Sequence, residues 1–166
     1  MNETKRPSWD DIFIEECKLW AKRSSCCRIQ TASVIVKDNH TISTGYNGTC
    51  TGLEHCYTYW EKYIKENNKD NNWLSSEEFY RKHHEWSNST ELHAEQNAIT
   101  FAAKNGYSVN NCTLYTLYSP CINCAKVIVS SGISKIVYEY TREPSGLKFC
   151  KNMDVLCEQY NVKGFK

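Results

Sequence analysis

TLYTLYSPCINCAKVIVSSGISKIVYEY, Thr113 to Tyr140, is the stretch whose reading decides the fold. Thr113 to Tyr118 is β-prone and reads as a strand. Cys121 to Ser131 reads as a helix, closed by Gly132, the residue type that ends helices through a left-handed turn. Ile133 to Tyr140 reads as a strand again. The alternation continues outward in both directions. Upstream, Leu92 to Lys104 is rich in good helix formers and apolar residues, with Gly106 placed as a C-cap. Further upstream, Ala32 to Val36 and Thr41 to Tyr46 flank the polar turn Lys37-Asp38-Asn39-His40 and predict a hairpin. Trp9, Ile12, Phe13, Cys17 and Trp20 recur at helical spacing behind the capping pair Ser8 and Asp11, which predicts a helix over 9–22. Downstream, Leu147 to Asn152 reads as a short helix and Asp154 to Cys157 as a last strand. Strands alternating with helices argue for a two- or three-layer α/β domain.

Between Asn47 and Ser89 the pattern weakens. The segment is polar and aromatic-rich and includes Asn67-Asn68-Lys69-Asp70-Asn71-Asn72; Ser75 with Glu78 is a candidate cap for a short helix through Trp86. It reads as an insertion, at about 50–90, on one domain spanning 1–166. A length of 166 residues suits a single core. Hydrophobic residues at 40% and charged residues at 23% are ordinary for a globular chain. No apolar run approaches the ~20 residues of a membrane span. Met1 to Asp11 lacks the apolar core of a signal peptide, so a reducing, cytoplasmic setting is expected. In that setting ten cysteines point to metal binding or catalysis before disulfides. A net charge of +1 gives no electrostatic footprint for a long nucleic acid, though a single nucleotide fits it.

Two short patterns carry chemistry: His93-Ala94-Glu95 and Pro120-Cys121-Ile122-Asn123-Cys124. Chance alone gives about 0.6 Cys-x-x-Cys pairs and about 0.4 His-x-Glu in such a chain, and His83-His84-Glu85 fits the second pattern as well. Requiring the proline cuts the first expectation to about 0.01, which makes the joint pattern hard to dismiss. Read singly, the cysteines suit buried thiols or a structural zinc, His93 a hydrogen-bonded core histidine, and Glu95 a solvated helix residue. Read together, two thiolates and an imidazole make a three-ligand zinc site with an open fourth position. Cys121 and Cys124 fall on one face of a helix start, where the positive helix end favours thiolates. Glu95, two residues from a ligand, is placed to carry protons.

These motifs resemble the zinc-dependent cytidine deaminases, whose His-x-Glu and Pro-Cys-x-x-Cys signature is well known. The likeness extends through Ser24-Ser25-Cys26-Cys27, Val34-Ile35-Val36, Thr44-Gly45-Tyr46-Asn47-Gly48, Glu91-Leu92-His93-Ala94-Glu95, Ser119-Pro120-Cys121-Ile122-Asn123-Cys124-Ala125-Lys126 and Ser131-Gly132-Ile133. Within the superfamily these segments look like deoxycytidylate deaminases, the phage and viral members above all. The resemblance implies a three-layer α/β/α fold around a mixed five-stranded sheet. It implies Zn2+ on His93, Cys121 and Cys124, with Glu95 taking a proton from the activated water and passing protons to N3 and the leaving ammonia as C4 of cytosine is attacked. The implied substrate is dCMP and the product dUMP, which feeds thymidylate synthesis.

The same resemblance implies substrate contacts from Asn47, which meets the sugar, and from Ala94, Ser119 and Pro120. Gly45, Tyr46 and Gly48 would face an effector, dCTP with Mg2+ as activator or dTTP as inhibitor, in a hexamer. Some phage-type members carry a second, structural zinc; the matching positions are Cys26, Cys56, His83 and Glu91. The chain departs from the family at Thr31-Ala32-Ser33, where Val-Gly-Ala is usual, and at Cys50, where many members have proline. Both lie near the expected nucleotide sites. Arg28, Lys104 and Arg142 are candidate phosphate partners. Competing readings are a deaminase of another cytosine nucleotide or of a nucleic-acid base, which needs a basic surface, and a non-catalytic zinc-stabilised module, which has no use for Glu95.

Overall fold

The computed structural model describes residues 6–161. Helix α1 (Trp9–Ala21) opens on the expected capping box: Ser8 Oγ accepts the Asp11 N–H at 3.2 Å, and Asp11 Oδ2 accepts the Ser8 N–H at 2.7 Å. Strand β1 (Ala32–Lys37) returns as β2 (His40–Tyr46) across Asp38 and Asn39, whose φ angles are 49° and 61°. Two consecutive positive φ values suit a two-residue hairpin, because that turn matches the twist of the strands. Short strands β3 (Gly48–Thr49) and β4 (Glu91–Leu92) pair antiparallel, and between them lie helices α2 (Cys56–Glu66) and α3 (Glu77–Thr90) with a 3-10 turn, Asn71–Ser75. Helix α4 (Ala94–Lys104) then leads to β5 (Thr113–Tyr118), α5 (Ile122–Ser130), β6 (Lys135–Tyr140), α6 (Pro144–Asn152) and β7 (Leu156–Gln159).

The main sheet runs β2-β1-β5-β6-β7. β1 is antiparallel to both β2 and β5, whereas β5, β6 and β7 are parallel, so the five-stranded sheet is mixed as the resemblance implied. β1 is buried on both faces. Ala32, Val34 and Val36 pack with Tyr115, Leu117 and Val137 under Phe13, Ile14 and Cys17 of α1. On the opposite face, Ile35, Leu114 and Ile136 pack against Ala98 and Ala102 of α4, Ile128 of α5 and Leu147 and Cys150 of α6. The result is the three-layer α/β/α arrangement.

The structure corrects several boundaries. α3 is capped by Ser76, whose Oγ accepts the Phe79 N–H at 3.1 Å, and not by Ser75. Glu78 takes no part in a capping box; it accepts from Trp73 Nε1 at 2.8 Å and Lys69 Nζ at 3.2 Å. The helix continues past Trp86 to Thr90. Leu92 belongs to β4, not to α4. α6 begins at Pro144, which suits the first helical turn because its missing N–H has no partner to lose there. The last strand is Leu156–Gln159, since Asp154 has a positive φ of 61° and is part of the turn. The 47–91 segment is also far less polar inside than its composition implied. Trp60, Trp73 and Phe79 are buried with Cys26 and Cys56, flanked by Tyr59, Tyr63 and Trp86, and form a core of their own.

Candidate metal centre and nucleotide cavity

The site is assembled from the starts of two helices. β4 ends at Leu92, and His93 is the N-cap of α4, its N–H bonded to Gln96 Oε1 at 3.0 Å. β5 runs into Ser119-Pro120, and Cys121 is the N-cap of α5, its sulfur accepting the Cys124 N–H at 3.5 Å. Two glycines permit the approach. A Cβ on Gly45 would lie 2.2 Å from Ala98 N and 2.4 Å from Ala94 O, so β2 can lie against the α4 backbone only with glycine there. Ser43 Oγ to Ala98 O (2.6 Å) and Asn97 Nδ2 to Tyr46 O (2.7 Å) hold that contact. A Cβ on Gly146 would lie 2.0 Å from Pro120 O, so α6 abuts the peptide that carries Cys121.

His93 Nδ1 lies 3.6 Å from Cys121 Sγ and 3.3 Å from Cys124 Sγ, and the three donors fall within 4.8 Å of one another. Tetrahedral zinc, with Zn–S of about 2.3 Å and Zn–N of about 2.05 Å, sets sulfur and nitrogen about 3.6 Å apart. The donor set therefore fits zinc without rearrangement. The donated Cys124 thiol proton and the His93 hydrogen bond pull the Cys121 thiol well below its ordinary range, while the His93 imidazole is pushed up by its bond to Cys121. Thiolate character is the state that binds metal. Glu95 is 7% exposed, and burial pushes its carboxyl up. It lies in the first turn of α4, beside the donors but outside the donor group.

A cavity of about 200 Å³ opens on this centre. Its lining includes His93, Glu95 and Cys121 with Asn47, Thr116, Tyr118 and Ser119, the cations Arg28 and Arg142, and also Cys26, His83 and Glu91. Asn47 is thus on the wall, but its side chain also braces the loop before β1: Oδ1 accepts from Thr31 N–H at 2.9 Å and Nδ2 donates to Ile29 O at 2.8 Å. Ser119 Oγ accepts the Arg142 N–H at 2.9 Å, which fixes the turn carrying that arginine. Ala94 and Pro120 are buried beside the cavity without lining it. Gly45, Tyr46 and Gly48 lie off it, and the close backbone neighbour of Gly45 is α4. Lys104 is exposed at the far end of α4, away from the cavity.

The second cluster also forms. Cys26, Cys56 and His83 are all buried and their donors lie within 4.8 Å of one another; His83 Nε2 is 3.6 Å from Cys26 Sγ and 3.3 Å from Cys56 Sγ. These are the same separations as at the first centre. Burial alone would lower the His83 imidazole, but hydrogen bonds to Cys26 and Cys27 outweigh it and raise it to about 9. Glu91 stands beside this group but outside the shared contact. Its Oε2 accepts from Ser87 Oγ at 2.7 Å, and its buried Oε1 has no hydrogen-bond partner. Two contributors had no sequence signal of their own: Gly146, which only its neighbour explains, and Gln96, which reads as an ordinary helix residue.

The family model for the cytidine and deoxycytidylate deaminase zinc-binding region matches residues 7–140. The deoxycytidylate deaminases of Enterobacteria phages T2 and T4 are each 38% identical over 138 residues, covering 72% of this chain and 73% and 72% of theirs. The fold is shared with the dCMP deaminase of cyanophage S-TIM5, solved in complex with dCMP and dUMP, at a TM-score of 0.71 and 24% identity over 93% of this chain and 98% of that one. With the paired helix starts, the three-donor centre and the buried carboxylate, these likenesses show that the chain belongs to the zinc-dependent cytidine and deoxycytidylate deaminase family and is a deaminase, a hydrolase of the exocyclic C–N bond.

Proposed function

We propose that the chain hydrolyses dCMP to dUMP and ammonia and so supplies dUMP for thymidylate synthesis. The observation that carries this is a cavity whose lining includes His93, Cys121 and Glu95 together with the two cations Arg28 and Arg142. A cytosine against His93, Cys121 and Glu95 then has Arg142 on the same cavity as a partner for its phosphate, with Arg28, whose guanidinium lies 4.5 Å from the Tyr80 ring centre, as a second. Bound by His93, Cys121 and Cys124, zinc supplies Lewis-acid activation that lowers the pKa of water toward neutrality. Glu95 accepts the proton of that water as its oxygen bonds to C4. The same carboxyl passes that proton to N3, then takes the remaining proton of the new C4 hydroxyl and delivers it to the departing amino group, so that the C4–N bond breaks, ammonia leaves and uracil remains. Asn47 meets the sugar and Ser119 the base end, with Ala94 and Pro120 packed behind the cavity lining.

The reading extends to the whole protein. The chain is one domain over 1–166 with the 50–90 insertion, working in the cytoplasm on a nucleotide and not on nucleic acid. Cys26, Cys56 and His83, with Glu91 beside them, hold a structural zinc that ties the insertion to the main domain. The enzyme is a hexamer under control by dCTP with Mg2+ and by dTTP, through a site that includes Tyr46 and Gly48.

The test is loss of absorbance on deamination of dCMP, with cytidine, dCTP and a short single-stranded DNA run alongside, and with dCTP and Mg2+ added as effector. Turnover confined to the monophosphate supports the reading. A zinc-loaded protein that turns over DNA or cytidine and leaves dCMP untouched overturns the substrate assignment.

A further inference from the structure

Cys150 and Cys157 belong to neither donor cluster, yet they face one another at one edge of the sheet. Cys150 lies in the last turn of α6 and is fully buried, whereas Cys157 lies in the edge strand β7 and is half-buried; both are free thiols. β7 pairs with β6 in a register that sets Cys157 beside Ile136. Paired neighbours in a sheet point to the same face. On that face Ile136 packs with Leu147 and Cys150 of α6, and Cys157 packs against the same core. The connection between the two cysteines is tightly turned. The Met153 and Val155 N–H groups both bond to Cys150 O at 3.0 Å, and Cys157 Sγ donates to Val155 O at 3.5 Å. Across this turn the Cys150 thiol donates a hydrogen bond to the Cys157 sulfur.

The pair is chemically unequal. The bond from Cys150, together with nearby Lys151, pulls the Cys157 thiol below its ordinary range against its burial. The same bond, together with burial, pushes the Cys150 thiol up. The reachable sulfur is therefore the nucleophile, and a protonated thiol stands ready beside it. Oxidation-sensing cysteines share this arrangement of an accessible thiolate next to a resolving thiol. Gly146 connects the pair to the catalytic centre. It lies one helical turn before Cys150 on the same face of α6, and it abuts Pro120 O and the Cys121 backbone. β5 leads into Cys121, and β6 separates β5 from β7. A disulfide holds its sulfurs about 2.05 Å apart, closer than any hydrogen-bonded pair of sulfurs. Closing it draws the end of α6 toward β7 and away from the Cys121 turn.

We infer that Cys150 and Cys157 form a reversible oxidation site whose disulfide draws α6 off the Cys121 turn and loosens the metal centre. The oxidant is a hydroperoxide. The Cys157 thiolate attacks one peroxide oxygen; an S–O bond forms, the O–O bond breaks and the other oxygen leaves as hydroxide. Cys150 sulfur then attacks the Cys157 sulfur; the S–S bond forms, the S–O bond breaks, and the Cys150 proton leaves with that oxygen as water. Two thiols give up two electrons in all, and hydrogen peroxide is reduced to two waters. A dithiol reverses the change by thiol–disulfide exchange.

The zinc-loaded protein is treated with hydrogen peroxide, digested with trypsin without reduction and read by mass spectrometry. Lys151 lies between the two cysteines, so cleavage there puts them in separate peptides. A pair of peptides linked through Cys150 and Cys157, separated again by dithiothreitol, is the expected result. Cys157→Ser should abolish the link. Cys150→Ala should leave Cys157 as a sulfenic acid, caught as its adduct with a 1,3-diketone. The metal centre is read at its own residues, by alkylation of Cys121 and Cys124 with iodoacetamide in the presence of a chelator. After peroxide these two should be alkylated about tenfold faster than in the reduced protein, the low end of what disturbing a ligand's support costs. Peroxide-treated Cys157→Ser should keep the reduced rate. No link between Cys150 and Cys157, at peroxide levels that leave Cys121 and Cys124 unoxidised, overturns the site. A link that forms without changing the alkylation of Cys121 and Cys124 overturns its coupling to the metal centre.

Discussion

Cys124 Sγ lies 3.3 Å from His93 Nδ1, a contact between residues 31 positions apart that sets the first turn of α5 against the first turn of α4. Two helix starts, each carrying partial positive charge, thus converge on the same donors. That field favours thiolates over thiols, and a cation shared by the donors completes the charge balance. Cys124→Ser should therefore lose the metal of this centre and not merely weaken it. The expected result is one metal fewer per chain and no measurable deamination, with the other metal retained. Retention of full metal content and activity would show that the three donors do not act together.

Glu95 is buried and lines the cavity, and burial raises its carboxyl. A carboxyl so placed suits a group that must both take and give a proton. Glu95→Gln keeps the shape and removes the basicity. Turnover should fall by about 10²–10⁴, the usual contribution of general acid–base catalysis, with zinc content unchanged. A variant that deaminates at the wild-type rate would remove Glu95 from the mechanism.

The features legible in the sequence are those whose signal is local. His93-Ala94-Glu95 and Pro120-Cys121-Ile122-Asn123-Cys124 are short, and each marks a helix start, so motif and element reinforce one another. The strands β1, β5 and β6 are legible because burial on both faces leaves near-continuous β-prone runs. α2 is not legible. Cys56, Tyr59, Trp60 and Tyr63 do recur at helical spacing, but His55 forms no side-chain cap bond and Asn67–Asn72 follows, so the helix has neither a start signal nor a clear stop. The second cluster draws on Cys26, Cys56 and His83, 30 and 27 residues apart, and only the resemblance connected them before the fold did. Gly45 and Gly146 are likewise opaque, because a glycine that admits a neighbour's backbone is understood only once the neighbour is in place.

Gly146 is the most direct link between α6 and a metal ligand. A methyl group there would meet the Pro120 carbonyl oxygen at 2.0 Å and the Cys121 backbone at 2.9 Å. Backbone cannot step aside as a flexible side chain can, so Gly146→Ala should push the Cys121 turn out of place. Zinc affinity should fall by about 10–100-fold, the usual cost of disturbing the support of a ligand. Competition against a chelator measures it, and wild-type affinity in the variant would mean that α6 shifts freely.

Phe79 tests whether the insertion is held by its own core. It is 1% exposed and packs edge-on to Trp60 at 5.2 Å and Trp73 at 5.3 Å between ring centres. Phe79→Ala should cost about 3–5 kcal/mol, the range for removing a buried aromatic ring. Because this core is separate from the two that sandwich the sheet, the loss should fall on α2 and α3. Hydrogen exchange should quicken there and stay slow in β1, β5 and β6. Equal acceleration throughout would mean that the insertion and the sheet unfold as one unit.

At high pH the tie between the last strand and the first helix should fail. Tyr160 OH donates to Asp11 Oδ1 at 2.6 Å, and Asp11 Oδ2 at the same time caps α1 through Ser8. Burial and then this hydrogen bond raise the Tyr160 hydroxyl from 10.0 to about 12. Tyr115 shifts the same way, by burial and by its bond to Asp10. A group whose folded pKa lies above its unfolded value stabilises the fold below the unfolded pKa and loses that contribution as pH climbs through the folded one. The Tyr160 contribution is thus whole below about pH 10 and gone by about pH 12. Urea midpoints measured from pH 9 to 12 should fall more steeply for the wild type than for Tyr160→Phe, which is already weaker at pH 9 and has no phenol to ionise. Parallel curves for the two proteins would show that this phenol ionises as freely in the fold as in the unfolded chain.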